Sequence, residues 1–105
     1  MERILFVDAS TSWTEYETSK PISNFRMIMI CSENTNGVVV APVTLLTSFF
    51  KTRNEPNKKY VSNRYHLSSN SGFEEIDIAY IDDNTVNVYA NLASDSNRVS
   101  IYGIR

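Results

Sequence analysis

The sequence predicts an all-β domain, an antiparallel β-sandwich or jelly-roll-like fold of about eight strands. Three observations predict it. Ser, Thr, Asn, Val, Ile and Tyr are abundant among the 105 residues; β-branched and aromatic side chains suit a pleated surface, while Asn and Ser suit turns. Apolar segments with partial alternation recur at roughly 10–13-residue spacing, separated by turn signals. No run longer than about ten residues keeps a 3.6-residue period without a breaker.

The elements follow in order. Ile4 to Val7 is an apolar run behind the charged pair Glu2-Arg3 and reads as the first strand. A polar Ala-Ser-Thr-Ser turn leads to a second segment, Trp13 to Glu17. Lys20-Pro21-Ile22-Ser23 reads as a loop or strand edge, because proline cannot donate to a ladder. Asn24 to Cys31 sets Phe25, Met27, Met29 and Cys31 against Arg26, Ile28 and Ile30. With one charge in eight residues it is expected to be buried on both faces and central in a sheet. Asn36-Gly37 is a hairpin signal, with Gly37 expected to take the positive φ. Val38 to Val43 returns, closed or bulged by Pro42.

Thr44 to Lys51 reads either as a strand and turn or as a short helix, and Asn54-Glu55-Pro56-Asn57 breaks it. Lys59 to Leu67 alternates Val61, Tyr65 and Leu67 against Tyr60, Arg64 and His66, a strand. Ser68 to Gly72 reads as a loop. The clearest pattern comes next: Ile76, Ile78 and Tyr80 alternate with Glu75, Asp77 and Ala79. Asp82-Asp83-Asn84 makes the turn, and Val86, Val88 and Ala90 alternate back against Asn87 and Tyr89. This is a hairpin with one dry and one wet face. Asp95-Ser96-Asn97 is another turn, and Val99 to Ile104 closes the sheet. With no boundary, repeat or low-complexity stretch, residues 1–105 read as a single sandwich domain.

Composition narrows the chemistry. Ten basic against twelve acidic residues give a net charge of −2, and the cluster Lys51, Arg53, Lys58, Lys59 and Arg64 is interrupted by Glu55. It reads as a solvated loop, so no nucleic-acid partner is expected. The longest apolar stretches fall far below the ~20 residues of a membrane-spanning helix, and no membrane partner is expected. The N-terminus lacks a long apolar segment of the kind that marks a secretory signal. The one cysteine, Cys31, permits no intrachain disulfide and reads as a small hydrophobe.

One histidine and one cysteine are too few for a thiolate–imidazole zinc set. Neighbouring strand residues point to opposite faces, so Glu74 and Glu75 cannot form a glycosidase pair. Asp82, Asp83 and Asn84 could offer oxygens to calcium, but without an EF-hand pattern they read as turn chemistry. Neither a phosphate-cradling glycine loop nor a nucleophile elbow is present. The expectation is therefore no catalytic residue, no metal and no cofactor. Tyr and Trp rings in polar contexts suit sugar rings or protein interfaces, and equally the shielding of sandwich edges. Trp13, Tyr16, Tyr60 and Tyr65, with His66 on the polar side of its strand, form the candidate ligand-binding set.

The order of elements resembles the C-terminal β-sandwich domain of bacteriophage tail-fibre, baseplate and minor tail proteins, from phages or prophages of Gram-positive and gut bacteria. The resemblance rests on Ile4-Leu5-Phe6-Val7-Asp8-Ala9-Ser10, on Ile22-Ser23-Asn24-Phe25 leading into Arg26 to Cys31, and on Tyr65 to Ser69. The hairpin from Ile76 to Tyr89 and the ending Ile101-Tyr102-Gly103-Ile104-Arg105 complete it. It covers nearly the whole chain; its more specific motifs are the Ser-Asn-Phe lead-in and the Tyr-Gly-Ile ending. It implies a non-enzymatic virion part, often trimeric, made in the bacterial cytoplasm. That part would bind host-surface glycan, neighbouring tail subunits, or both. A bacterial carbohydrate-binding or adhesion module is the alternative, and a small hydrolase the third reading.

Overall fold

The structure, a computed structural model, describes residues 1–9, 13–46, 62–69, 72–92 and 97–105. Eight strands carry the fold: β1 (Glu2–Asp8), β2 (Thr14–Glu17), β3 (Met27–Ser32), β4 (Gly37–Pro42), β5 (Ser62–Ser69), β6 (Gly72–Asp82), β7 (Thr85–Asn91) and β8 (Arg98–Ile104). The hydrogen-bonded order is β1-β8-β3-β4-β5-β6-β7-β2, antiparallel throughout. At its middle the order is held by one bridge, Val38 to Ser68. The ladder therefore folds there into two four-stranded antiparallel sheets, β1-β8-β3-β4 and β5-β6-β7-β2. The molecule measures 20 Å along its short axis, as two sheets about 10 Å apart with outward side chains require. The β-sandwich expectation holds. The connections β1→β2, β2→β3 and β7→β8 cross between the sheets, while β3 to β7 run as a meander.

Alternation decides what each strand buries. Ile28 and Ile30 of β3, Ile76 and Ile78 of β6, Val86, Val88 and Ala90 of β7, and Val99 and Ile101 of β8 meet in one core. Met27, Met29 and Cys31 lie on the other face of β3 and are half-buried. The expectation of burial on both faces thus holds fully for the isoleucine face and partly for the methionine face. Residues 43–46 are helical, and Val43 and Leu46 enter the core, so the helical reading applies to the described start of that ambiguous segment. Pro21 precedes a 3-10 turn, Ile22–Asn24. No helix among the described residues is long and apolar enough to cross a membrane.

The hairpin between β3 and β4 differs from expectation. Asn36, not Gly37, takes the positive φ of 57°; asparagine tolerates the left-handed region through its short polar side chain. Gly37 is required for close approach instead. A β-carbon there would strike Ser32 Oγ and lie 2.7 Å from Glu74 Oε1. Glu74 is fully buried. Its Oε1 accepts hydrogen bonds from Ser32 Oγ at 2.8 Å and Thr35 Oγ1 at 2.7 Å. Ser32 Oγ in turn accepts from the Gly37 N–H at 3.0 Å. This node ties the β3–β4 turn of one sheet to β6 of the other. A second tie joins the 3-10 turn to the β6–β7 turn. Ser23 donates from its N–H and its Oγ to the two carboxylate oxygens of Asp83, at 2.9 and 2.6 Å.

Candidate functional site

The outward faces of the two sheets differ in chemistry, and β2 places aromatic and polar groups on one of them. The β6–β7 and β5–β6 registers set Tyr89, Asp77 and Arg64 in one cross-strand row, and Asn91, Glu75 and His66 in the next. Glu15, Asn87 and Ala79 form a third. Because Thr14 pairs with Val88, Trp13 arrives beside Tyr89, with ring centroids 5.9 Å apart and planes tilted by 35°. The Arg64 Nε lies 3.0 Å from Glu75 Oε2 and donates to Asp77 Oδ1 at 3.1 Å. That hydrogen bond, then the charges of Asp77 and Glu75, push the guanidinium pKa up. The guanidinium itself is exposed and stays charged.

The face expected to be wet is dry at its centre. Asp77, Ala79 and Asn87 are buried, Asn87 to 2% exposure. The Asn87 Oδ1 has no hydrogen-bond partner, an uncommon condition for a buried amide. Two rings in contact and two carboxylates oriented by one exposed guanidinium form a surface for stacking and hydrogen bonding, with the Asn87 oxygen sealed beneath it. Glu74 and Glu75 point to opposite faces, one into the core node and one here.

Of the sequence-derived set, Trp13 and His66 come to this face, both exposed. Tyr16 lies elsewhere, between β1 and β2, its Oη 3.5 Å from the Asp8 carbonyl oxygen. Tyr65 is a correction: strand alternation turns it inward, away from His66, and it is a core residue at 6% exposure. Its hydroxyl has no partner, and burial pushes its pKa up to about 12. Tyr60 lies outside the described residues. The set omitted Asp77, Asn87, Arg64 and Tyr89. Their signal was the alternation of the β6–β7 hairpin, which places Asp77, Asn87 and Tyr89 on one face.

The first sheet presents a different outward face. Phe6, Ser100, Cys31 and Val38 form one row across β1, β8, β3 and β4. Tyr102, Met29 and Val40 form the next, and Ile104, Met27 and Pro42 a third. Phe6 and Val40 are each 49% exposed and Val38 46%. Arg3, stacked 4.7 Å over the Phe6 ring, and the Asp8–Arg98 pair at 3.6 Å supply charge around the apolar rows. Burial, then the charge of Glu33, pushes the Cys31 thiol pKa up, so it stays protonated and apolar near neutrality.

The two ends of the ladder, β1 and β2, face each other without pairing. They are joined where the Ser19 N–H donates to the Ile4 carbonyl at 2.9 Å and where the Tyr16 hydroxyl reaches the Asp8 carbonyl oxygen at 3.5 Å, and a groove of about 450 Å³ opens between residues 3–7 and 16–19. Among the described residues, no group of three His, Cys, Asp or Glu side chains is placed to hold a metal ion. At the β6–β7 turn, Asp82 Oδ1 accepts the Asn84 N–H at 2.9 Å, the side-chain-to-backbone bond that favours Asp in turns. Comparison with protein-family models, with curated proteins and with solved structures finds no match.

Proposed function

We propose that this domain is a non-enzymatic binding and assembly module of a phage or prophage tail appendage. The observation that carries this reading is the outward face of β1-β8-β3-β4. A sheet that faces water on one side normally alternates apolar with polar residues. Here the outward positions of β3 and β4 are Met27, Met29, Cys31, Val38, Val40 and Pro42. Contiguous apolar surface of this kind marks an interaction site on soluble domains, and an apolar centre rimmed by charge is the usual anatomy of a subunit interface. The face packs against neighbouring copies, a trimer being the favoured state, or against other tail subunits.

A second job is supported on the other sheet. The Trp13–Tyr89 pair and the exposed Arg64 guanidinium held by Asp77 and Glu75 suit a glycan, which binds by ring stacking and multiple hydrogen bonds. The bacterial adhesion-module alternative would use that same face as a monomer. Static light scattering on the purified chain tests the assembly reading. A stable oligomer across a hundredfold dilution supports it; a monomer at every concentration sinks it.

A further inference from the structure

We propose that the groove between β1 and β2 is a subsite for an N-acetylated sugar ring, held through its acetamido group by backbone of both strands. The inference deepens the glycan half of the proposed function and rests on it, but it places the sugar away from the Trp13–Tyr89 face.

Hydrogen-bond phase fixes which backbone groups face the groove. In an antiparallel pair, alternate residues direct their N–H and C=O toward the partner strand and away from it. The Ala9 N–H donates to the Asn97 carbonyl of the β8 side at 2.9 Å. Counting back in twos, Val7 faces β8, so the N–H and C=O of Phe6 face the groove. Likewise the Thr18 N–H donates to the Asn84 carbonyl at 2.9 Å, so Tyr16 faces β7 and the N–H and C=O of Glu17 face the groove. The Ser19–Ile4 bond, directed across the gap, agrees with both phases. Phe6 and Glu17 stand opposite Ser100 and Thr85 at non-hydrogen-bonded positions of their ladders, and no described backbone group bonds their groove-facing N–H and C=O. A donor and an acceptor on each side thus line a groove open to water.

An acetamido group is a peptide unit in miniature. Its carbonyl accepts from an N–H of one strand while its N–H donates to a C=O of the other, as an intervening strand would do. A full strand does not fit, because the Ser19–Ile4 bond closes one end and the Tyr16 hydroxyl, which donates to the Asp8 carbonyl oxygen, spans the gap at the other. A single ring with its substituent suits a volume of about 450 Å³. Tyr16 lies at the groove on the core side, packed against the hydrophobic core, and offers a ring for the acetamido methyl or the sugar face. The exposed Glu17 carboxylate and the Phe6 ring under Arg3 stand at the lip.

The test is a ¹⁵N NMR titration of the whole chain with N-acetylglucosamine, and with glucose as the ring lacking the amide. The expected result is millimolar binding, with the largest amide shifts at Phe6 and Glu17. Glucose should bind roughly tenfold more weakly, about the effect of one or two lost hydrogen bonds. Glu17→Pro deletes the groove-facing N–H and no ladder bond, a substitution edge strands accept, and should weaken binding about tenfold. Glu17→Gln keeps that N–H and should bind as the parent does, which separates backbone from carboxylate even if the proline variant fails to fold. Equal response to both sugars overturns the acetamido assignment, and an absence of shifts overturns the subsite. Shifts confined to Trp13, Tyr89 and Asn87 also overturn it, while leaving the proposed function standing.

Discussion

Gly103 leaves room for the ring of Phe25: a β-carbon built on Gly103 would collide with Cγ, Cδ1 and Cδ2 of that ring. Phe25 belongs to the lead-in to β3 and Gly103 to the last strand, and Arg105 caps the same ring 5.1 Å from its centroid. The two most distinctive short motifs of the sequence, Ser-Asn-Phe and Tyr-Gly-Ile, therefore meet in space. Their contact is structural and speaks to the fold, not to a ligand. Gly103→Ala should destabilise the domain by about 1–3 kcal/mol through overpacking, measured by urea denaturation. Phe25→Leu on the alanine background should recover part of the loss; no change for either variant would contradict the packing.

The Glu74 node makes a second prediction. Glu74→Ala leaves the buried hydroxyls of Ser32 and Thr35 without their shared acceptor and should cost about 2–4 kcal/mol. Glu74→Gln keeps a carbonyl oxygen in that place and should cost less. Gly37→Ala pushes on the same carboxylate from the turn. Combined with Glu74→Ala, its cost should be less than additive, because the two sites are in direct contact. Chemical denaturation of the parent, the two single variants and the double variant reads this directly, and strict additivity would refute the coupling.

Tyr65 predicts a pH dependence. Burial raises its folded pKa from 10.0 to about 12. A raised pKa means the folded state holds the proton more tightly. The associated stability is fully present below pH 10 and is lost as pH rises through about 12, amounting to about 2 kcal/mol there. Tyr65→Phe removes this alkaline loss. Because the hydroxyl is buried without a partner, the same variant should be neutral or up to about 1 kcal/mol more stable at pH 7. Thermal melts from pH 7 to 11.5 would show the two curves diverging; parallel curves would contradict the inward placement.

Much of the fold was legible in the chain. The β6–β7 hairpin stood out because two strands alternate cleanly around Asp82-Asp83-Asn84, and Trp13 to Glu17, Val38 to Val43 and Val99 to Ile104 each fall within about a residue of a strand. The positive φ went to the neighbour of the expected residue, since Asn36 and Gly37 can both adopt it, and only the buried carboxylate opposite Gly37 decides between them. The candidate site was less legible. Alternation tells which residues share a face, but not that Asp77 and Asn87 are buried on the face expected to be wet. Tyr65 looked polar from its neighbours in sequence, Arg64 and His66, yet strand geometry turns it the other way. The groove between β1 and β2 depends on which strands end the ladder, which no local pattern carries.

The assembly claim is tested most directly by sedimentation velocity on three proteins: the parent chain, Val40→Glu and Asn91→Glu. The two variants add the same charge to exposed positions on opposite sheets, so folding and net charge are controlled. The expected result is an oligomer for the parent and for Asn91→Glu, and a folded monomer for Val40→Glu. An oligomer that survives Val40→Glu and dissociates in Asn91→Glu, or a parent chain that is monomeric throughout, would contradict assembly through the β1-β8-β3-β4 face.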